Sequence, residues 1–154
     1  MSQSSPIFFM VAGEQSGDLH GSKLIQSIKK LNPNSTFIGH GGDRMQSCGL
    51  EIMHHVNELA IMGFTEVLKH LPFMINVMGE SLEKIKEIKP DRIILIDYPG
   101  FNLCLAKALY KNNKQDVALR IFNEVANAEP SKENQVEDWD QIIEAKLFLK
   151  NLKN

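Results

Sequence analysis

The chain has little of what would classify it quickly. Its 154 residues include only two cysteines, Cys48 and Cys104, and neither sits at metal-ligand spacing. That excludes a disulfide framework and a cysteine-rich zinc module, and it fits reduced thiols in a cytosolic protein. No apolar run approaches the roughly 18–20 residues of a membrane-spanning helix. The opening Met1-Ser2-Gln3-Ser4-Ser5-Pro6 is polar and uncharged, without the basic start and apolar centre of a signal peptide. Neither sign of charge dominates. The formal net charge is −2, which gives no footprint for nucleic acid. What remains is ordinary: 43% hydrophobic and 23% charged residues, enough for one globular domain with at most a small appendage.

The segment Val11-Ala12-Gly13-Glu14-Gln15-Ser16-Gly17-Asp18 is the most informative stretch. It follows the apolar run Ile7–Ala12, which reads as a buried parallel strand. It precedes a helical pattern over Asp18–Leu31, with Leu19, Leu24, Ile25, Ile28 and Leu31 at helical spacing. A strand that empties through glycines into a helix is the first crossover of an α/β fold. Free N–H groups at such a helix start favour an anion. The spacing is neither G-x-G-x-x-G nor G-x-x-x-x-G-K-S/T, so neither dinucleotide binding nor a Walker loop follows. The structural alternative is a plain turn with Ser16 or Asp18 as the helix N-cap.

The alternation continues. Ser35–Gly39 predicts a second strand, followed by the glycine cluster Gly39-His40-Gly41-Gly42-Asp43-Arg44. Arg44–Cys48 predicts a short helix ended by Gly49, and Leu50–His54 a third strand. Glu58–Lys89 is helical, and Gly63 and Pro72 are expected to divide it into two or three helices. Arg92–Ile96 is a last apolar strand, ending in Asp97-Tyr98-Pro99-Gly100. In open α/β sheets ligands lie outside the carboxyl ends of the strands. Gly13–Asp18, Gly39–Arg44 and Asp97–Asn102 are therefore expected to converge on one rim. His20, His40, His54 and His55 show no metal-ligand pattern and read as surface or rim residues. After about Leu103 no strand candidate remains. Cys104–Lys111, Gln115–Ala128 and Glu137–Leu152 predict three helices.

Four segments together carry a family resemblance. Val-Ala-Gly-Glu-Gln-Ser-Gly-Asp (11–18), Gly-Gly-Asp-Arg-Met-Gln (41–46), Glu-Leu-Ala-Ile-Met-Gly-Phe-Thr-Glu-Val-Leu (58–68) and Ile-Asp-Tyr-Pro-Gly-Phe-Asn (96–102) resemble the amino-terminal half of lipid-A-disaccharide synthase. They occur in the family's order, over residues 7 to about 109. The resemblance implies a Rossmann-like parallel sheet, the acceptor-side half of a two-domain GT-B glycosyltransferase. It implies an inverting transfer from a UDP-linked diacylated glucosamine to a diacylated glucosamine 1-phosphate, with UDP released. The implied setting is the cytoplasmic surface of the inner membrane, with no metal and no cofactor.

On that resemblance Asp97 matches the family's acidic residue and is the candidate general base. An alcohol nucleophile needs one within hydrogen-bond reach. Gly13, Glu14, Ser16, Gly17 and Asp18 match the first segment, and Gly41, Gly42 and Arg44 the second. All are candidates for substrate binding. For Arg44 a phosphate contact and a local ion pair are both open. For Asn102, positioning of the acceptor and capping of the next helix are both open. Met62, Phe64, Leu68, Phe73 and Met74 are candidates for acyl chains or shallow membrane insertion, against ordinary core packing.

The sequence departs from the family after about Leu109. The expected division is an α/β domain over 1–109 and a helical tail over 110–154. Leu105, Ala106, Ala118, Phe122 and Pro130 resemble the small-and-large spacing of a tetratricopeptide repeat, with Trp139 opening a further helix. The family's second half, which binds the UDP moiety, is not seen. The expectation is therefore an acceptor-side half whose activity alone is in doubt, with three origins open: a gene fragment, a fusion, or a half that needs a donor-domain chain or other protein partner. The alternative is a non-catalytic binding or scaffold protein with a helical-repeat tail.

Overall fold

The computed structural model describes residues 5–59, 67–96, 99–111, 115–127 and 135–151. In chain order the elements are β1 (Ile7–Ala12), α1 (Gln15–Leu31), β2 (Thr36–Gly41), α2 (Asp43–Ser47), β3 (Leu50–His55), α3 (Val56–Leu59), α4 (Val67–Ile88), β4 (Arg92–Ile96), α5 (Pro99–Lys111), α6 (Gln115–Ala126) and α7 (Gln135–Asn151). They form two compact units, residues 1–98 and 99–154.

The first unit is built on a four-stranded sheet in the order β3-β2-β1-β4. Every pairing is parallel. The two innermost strands explain their own burial. In β1, Phe9, Met10, Val11 and Ala12 are all fully buried, as a strand covered on both faces requires. One face carries Met10, Ala12, Phe37 and Leu50 under Ile25 of α1 and Met45 of α2. The other face carries Phe9 and His40, whose rings meet edge to face at 5.9 Å. Helix α4 lies over that second face, because Ser81 reaches His40 there at 2.7 Å.

A bulge between β2 and β3 sets which residues oppose each other. Gly39 pairs with Ile52, but His40 pairs with His54, so Met53 is the extra residue. Gly39 has φ +145°, and a Cβ there would lie 1.9 Å from the Met10 carbonyl oxygen. Only glycine tolerates that conformation and that approach. The shift places the two imidazoles side by side on neighbouring strands, with ring centroids 5.3 Å apart and planes tilted by 41°.

Two local expectations are corrected. Helix α1 begins at Gln15, and its N-cap is Glu14, with extended backbone and no side-chain cap. Asp18 therefore lies inside the helix and caps nothing in α1. Helix α4 also runs through Pro72 without a break. A proline there forfeits one backbone hydrogen bond, and the buried Val77, Ser81 and Ile85 further along hold the helix to the unit. Gly63, the other expected interruption, lies outside the described residues.

Among the described residues the second unit consists of the helices α5, α6 and α7. Leu105, Ala106, Leu109, Ala118, Phe122 and Ala145 are buried at its centre. Phe148 of α7 stacks on Phe122 at 4.0 Å and receives Tyr110 of α5 edge-on at 5.3 Å. Small alanines beside large aromatics let neighbouring helices approach closely. Lys107 and Glu144 form an ion pair between α5 and α7. Among the described residues no helix is long and apolar enough to cross a membrane.

Candidate functional site at the carboxyl ends of the strands

Parallel strands end on one edge, and the turns that follow β1, β2 and β3 share it. Asp18 is the hub. Its side chain is 1% exposed. Its Oδ1 accepts from the backbone N–H groups of Gly42 at 2.8 Å and Met45 at 2.9 Å, and its Oδ2 accepts from that of Arg44 at 3.2 Å. These amides open α2, where a helix start leaves donors without partners. A carboxylate suits them in both charge and geometry. One residue from the first glycine segment thus clamps the second.

A second tie crosses the same edge. Gln15 of α1 donates from Nε2 to Asn57 Oδ1 of α3 at 2.9 Å. The Asn57 N–H donates to His55 Nδ1 at 3.1 Å. His55 therefore carries its proton on Nε2, which faces Asp43 Oδ1 at 3.3 Å. The backbone of α1 closes in as well. A Cβ on Gly17 would come within 3.2 Å of the Ala12 side chain and 3.4 Å of the Ile96 carbonyl oxygen. That close approach holds the start of α1 against the ends of β1 and β4.

Beneath the edge lies a histidine pair. His40 was expected at the surface or rim, but it is fully buried. The reason is its place on β2, between β1 and β3 and under α4. The Ser81 hydroxyl donates its one proton to the Val77 carbonyl at 2.6 Å. It can then only accept from His40, which must carry its proton on Nε2. Burial, with the His54 ring beside it, pushes the His40 imidazole down to about 3, so the ring is neutral. His54 does sit at the rim of α3 and α4. Its Nε2 faces Glu80 at 2.7 Å and its Nδ1 faces Glu58 at 3.4 Å. His20 is exposed.

The expected site residues fall as follows. Gly13, Gly17, Asp18, Gly41 and Gly42 are buried, while Glu14, Ser16 and Arg44 are exposed on the same edge. Asp18 joins the two groups. Asp97 lies outside the described residues, as do Met62 and Phe64. Leu68 lies in α4, and its side chain is outside the described set. Phe73 is half-buried with its ring edge-on to His54 at 5.7 Å, and Met74 is half-buried beside it. Asn102 belongs to the second unit. It is 7% exposed, and its Oδ1 has no hydrogen-bond partner among the described residues. Sequence reasoning missed Gln15, Asp43, His55 and Asn57. Gln15 and Asp43 lie inside singled-out segments, Asn57 lies next to one, and His55 reads only as a surface or rim residue; no spacing marks the four as partners. Among the described residues no cluster of three His, Cys, Asp or Glu side chains is arranged to hold a metal ion.

Comparison with known proteins agrees with this frame. The family model described as lipid-A-disaccharide synthetase matches residues 8–125, which takes in the sheet except Ile7 and most of α6. The chain is 45% identical over 103 residues to the lipid-A-disaccharide synthase of Hydrogenovibrio crunogenus, covering 67% of this chain and 27% of that protein. It is 41% identical over 104 residues to that of Myxococcus xanthus, covering 68% and 27%. It is 43% identical over 111 residues to that of Acidobacterium capsulatum, covering 70% and 27%. The chain thus spans about a quarter of the length of these relatives. By that match, over well more than half its residues, the chain belongs to the lipid-A-disaccharide synthetase family.

Proposed function

We propose that this chain supplies the acceptor side of an inverting glycosyl transfer in lipid A biosynthesis. The substrates are a UDP-linked diacylated glucosamine and a diacylated glucosamine 1-phosphate, and the products are the disaccharide 1-phosphate and UDP. The observation that carries the reading is the family match across the sheet. The joined turns support it. Asp18 draws the second glycine segment to the start of α1, and Glu14, Ser16 and Arg44 remain exposed beside it.

In this reading Asp97 is the general base that takes the proton from the acceptor hydroxyl. It follows directly on β4, whose last residue pairs with Ala12 at the end of β1. Arg44 meets the acceptor phosphate through its guanidinium fork. Asn102 positions the acceptor. The apolar start of α4 and the segment before it, with Met62, Phe64, Leu68, Phe73 and Met74, take acyl chains at the inner membrane surface. Ile75, 62% exposed on α4, extends that apolar character. The donor nucleotide is bound by a separate domain or chain.

The test is UDP release from acylated substrates with the chain and a donor domain supplied together. The Asp97→Ala variant should lower the rate by about 10²-fold or more, the usual worth of general base catalysis. Equal rates for the variant and the unaltered chain would remove Asp97 from the role.

A further inference from the structure

We infer that Asp18 is a positioning residue: it fixes the Gly42–Met45 turn so that Arg44 presents its guanidinium to a sugar phosphate. This deepens the acceptor-side reading and rests on it.

Asp18 is poorly placed to touch a ligand. Its side chain is 1% exposed, and both oxygens are engaged by the backbone of residues 42, 44 and 45. The same bonds engage three N–H groups of that turn. An anionic ligand therefore finds no free N–H at Gly42, Arg44 or Met45, because a carboxylate of the chain already occupies them. What the turn still offers is the Arg44 side chain, which is exposed and outside every ion pair among the described residues. A planar guanidinium matches a phosphomonoester through two parallel hydrogen bonds. Its own backbone N–H is one of the three held by Asp18, so the carboxylate sets where that side chain begins.

Gly42 completes the device. Its backbone is extended, with φ −117° and ψ −168°, a conformation open to any residue. Space decides instead. A Cβ there would lie 2.8 Å from the Asp18 carboxyl carbon and 2.9 Å from Val56 Cγ2. A side chain at 42 and the Asp18 contact exclude each other.

The test uses the full chain and one probe, glucosamine 1-phosphate carrying two short acyl chains in detergent micelles, titrated calorimetrically. The unaltered chain should bind it. Arg44→Ala and Asp18→Asn should each weaken binding about tenfold, the scale of one charge-assisted contact. The double variant should bind no more weakly than Arg44→Ala alone, because both remove the same contact. A merely structural role for Asp18 would make the losses multiply, to about a hundredfold. Gly42→Ala keeps every charge but displaces the turn, and it should also lose about tenfold, which covers the case where Asp18→Asn does not fold. Binding by Asp18→Asn or Gly42→Ala equal to that of the unaltered chain, or multiplicative losses, would overturn the inference. An unaltered chain that ignores the probe would overturn the acceptor-side reading itself, and the role of Asp18 with it.

Discussion

The strand-end edge of the first unit and the core of the second are held together by different means. At the edge, a buried carboxylate satisfies three backbone donors, and a buried histidine and serine tie the sheet to α4. In the helical unit, Phe122, Phe148, Tyr110 and a set of alanines fill space. Directional bonds fix where backbone and side chains sit, whereas apolar packing fixes how closely helices approach. The contrast is between fixed positions at the edge of the first unit and close packing in the core of the second.

The sharpest way to break that contrast is Asp18→Ala. It leaves three backbone donors without their acceptor in a buried place, at about 1–3 kcal/mol each if none relaxes. Urea denaturation of the chain should show a loss of about 4 kcal/mol. A loss below about 1 kcal/mol would mean that water or another group replaces the carboxylate at no cost.

Phe122→Ala probes the other side. A fully buried phenylalanine stacked on Phe148 should cost about 3 kcal/mol when truncated. Its effect should leave the amides of Gly42 and Met45 protected. Parallel loss of protection there would show that the edge depends on the helical core.

His40 gives a pH test of the first unit. Its folded value, about 3, lies below the ordinary 6.5, so the unfolded chain binds the extra proton first as pH falls. The stability it confers is complete above about pH 6.5 and is lost progressively toward pH 3. The slope in that window should approach about 1.4 kcal/mol per pH unit, one proton's worth. Replacing His40 by Gln, measured by denaturation at several pH values, should flatten the slope by that amount. An unchanged slope would assign the acid sensitivity to other groups.

The smallest effect belongs to Lys107 and Glu144, a partly exposed pair between α5 and α7. Glu144→Gln should change stability by less than about 0.5 kcal/mol. A larger change would mean that charge, and not packing alone, holds the helical unit.

Much of this frame is legible in the sequence because it rests on periodicity. Strand β1 stands at Ile7–Ala12 as its apolar run predicts, and β4 at Arg92–Ile96. The helices of the second unit begin and end within a few residues of the pattern, except that α5 starts earlier, at Pro99. The bonds that join the edge are not legible. Asp18 reads locally as a cap because Ser and Asp so often begin helices. Its true partners lie 24 to 27 residues away, and no spacing rule reaches that far. His40 reads as a surface or rim residue because its partner is likewise distant in sequence. The bulge at Met53 and the hydroxyl of Ser81, 41 residues on, are what make its burial tolerable. The glycine cluster places Arg44 on the rim, and only the family resemblance marks it as a candidate for a phosphate.

The most direct test of the account is hydrogen exchange at the Gly42, Arg44 and Met45 amides, followed by NMR in the unaltered chain and in Asp18→Asn. The account predicts strong protection at all three in the unaltered chain. It predicts loss of that protection in the variant, while the amides of β1 and β2 keep theirs. Equal protection at residues 42, 44 and 45 in both proteins would contradict the claim that Asp18 builds this edge.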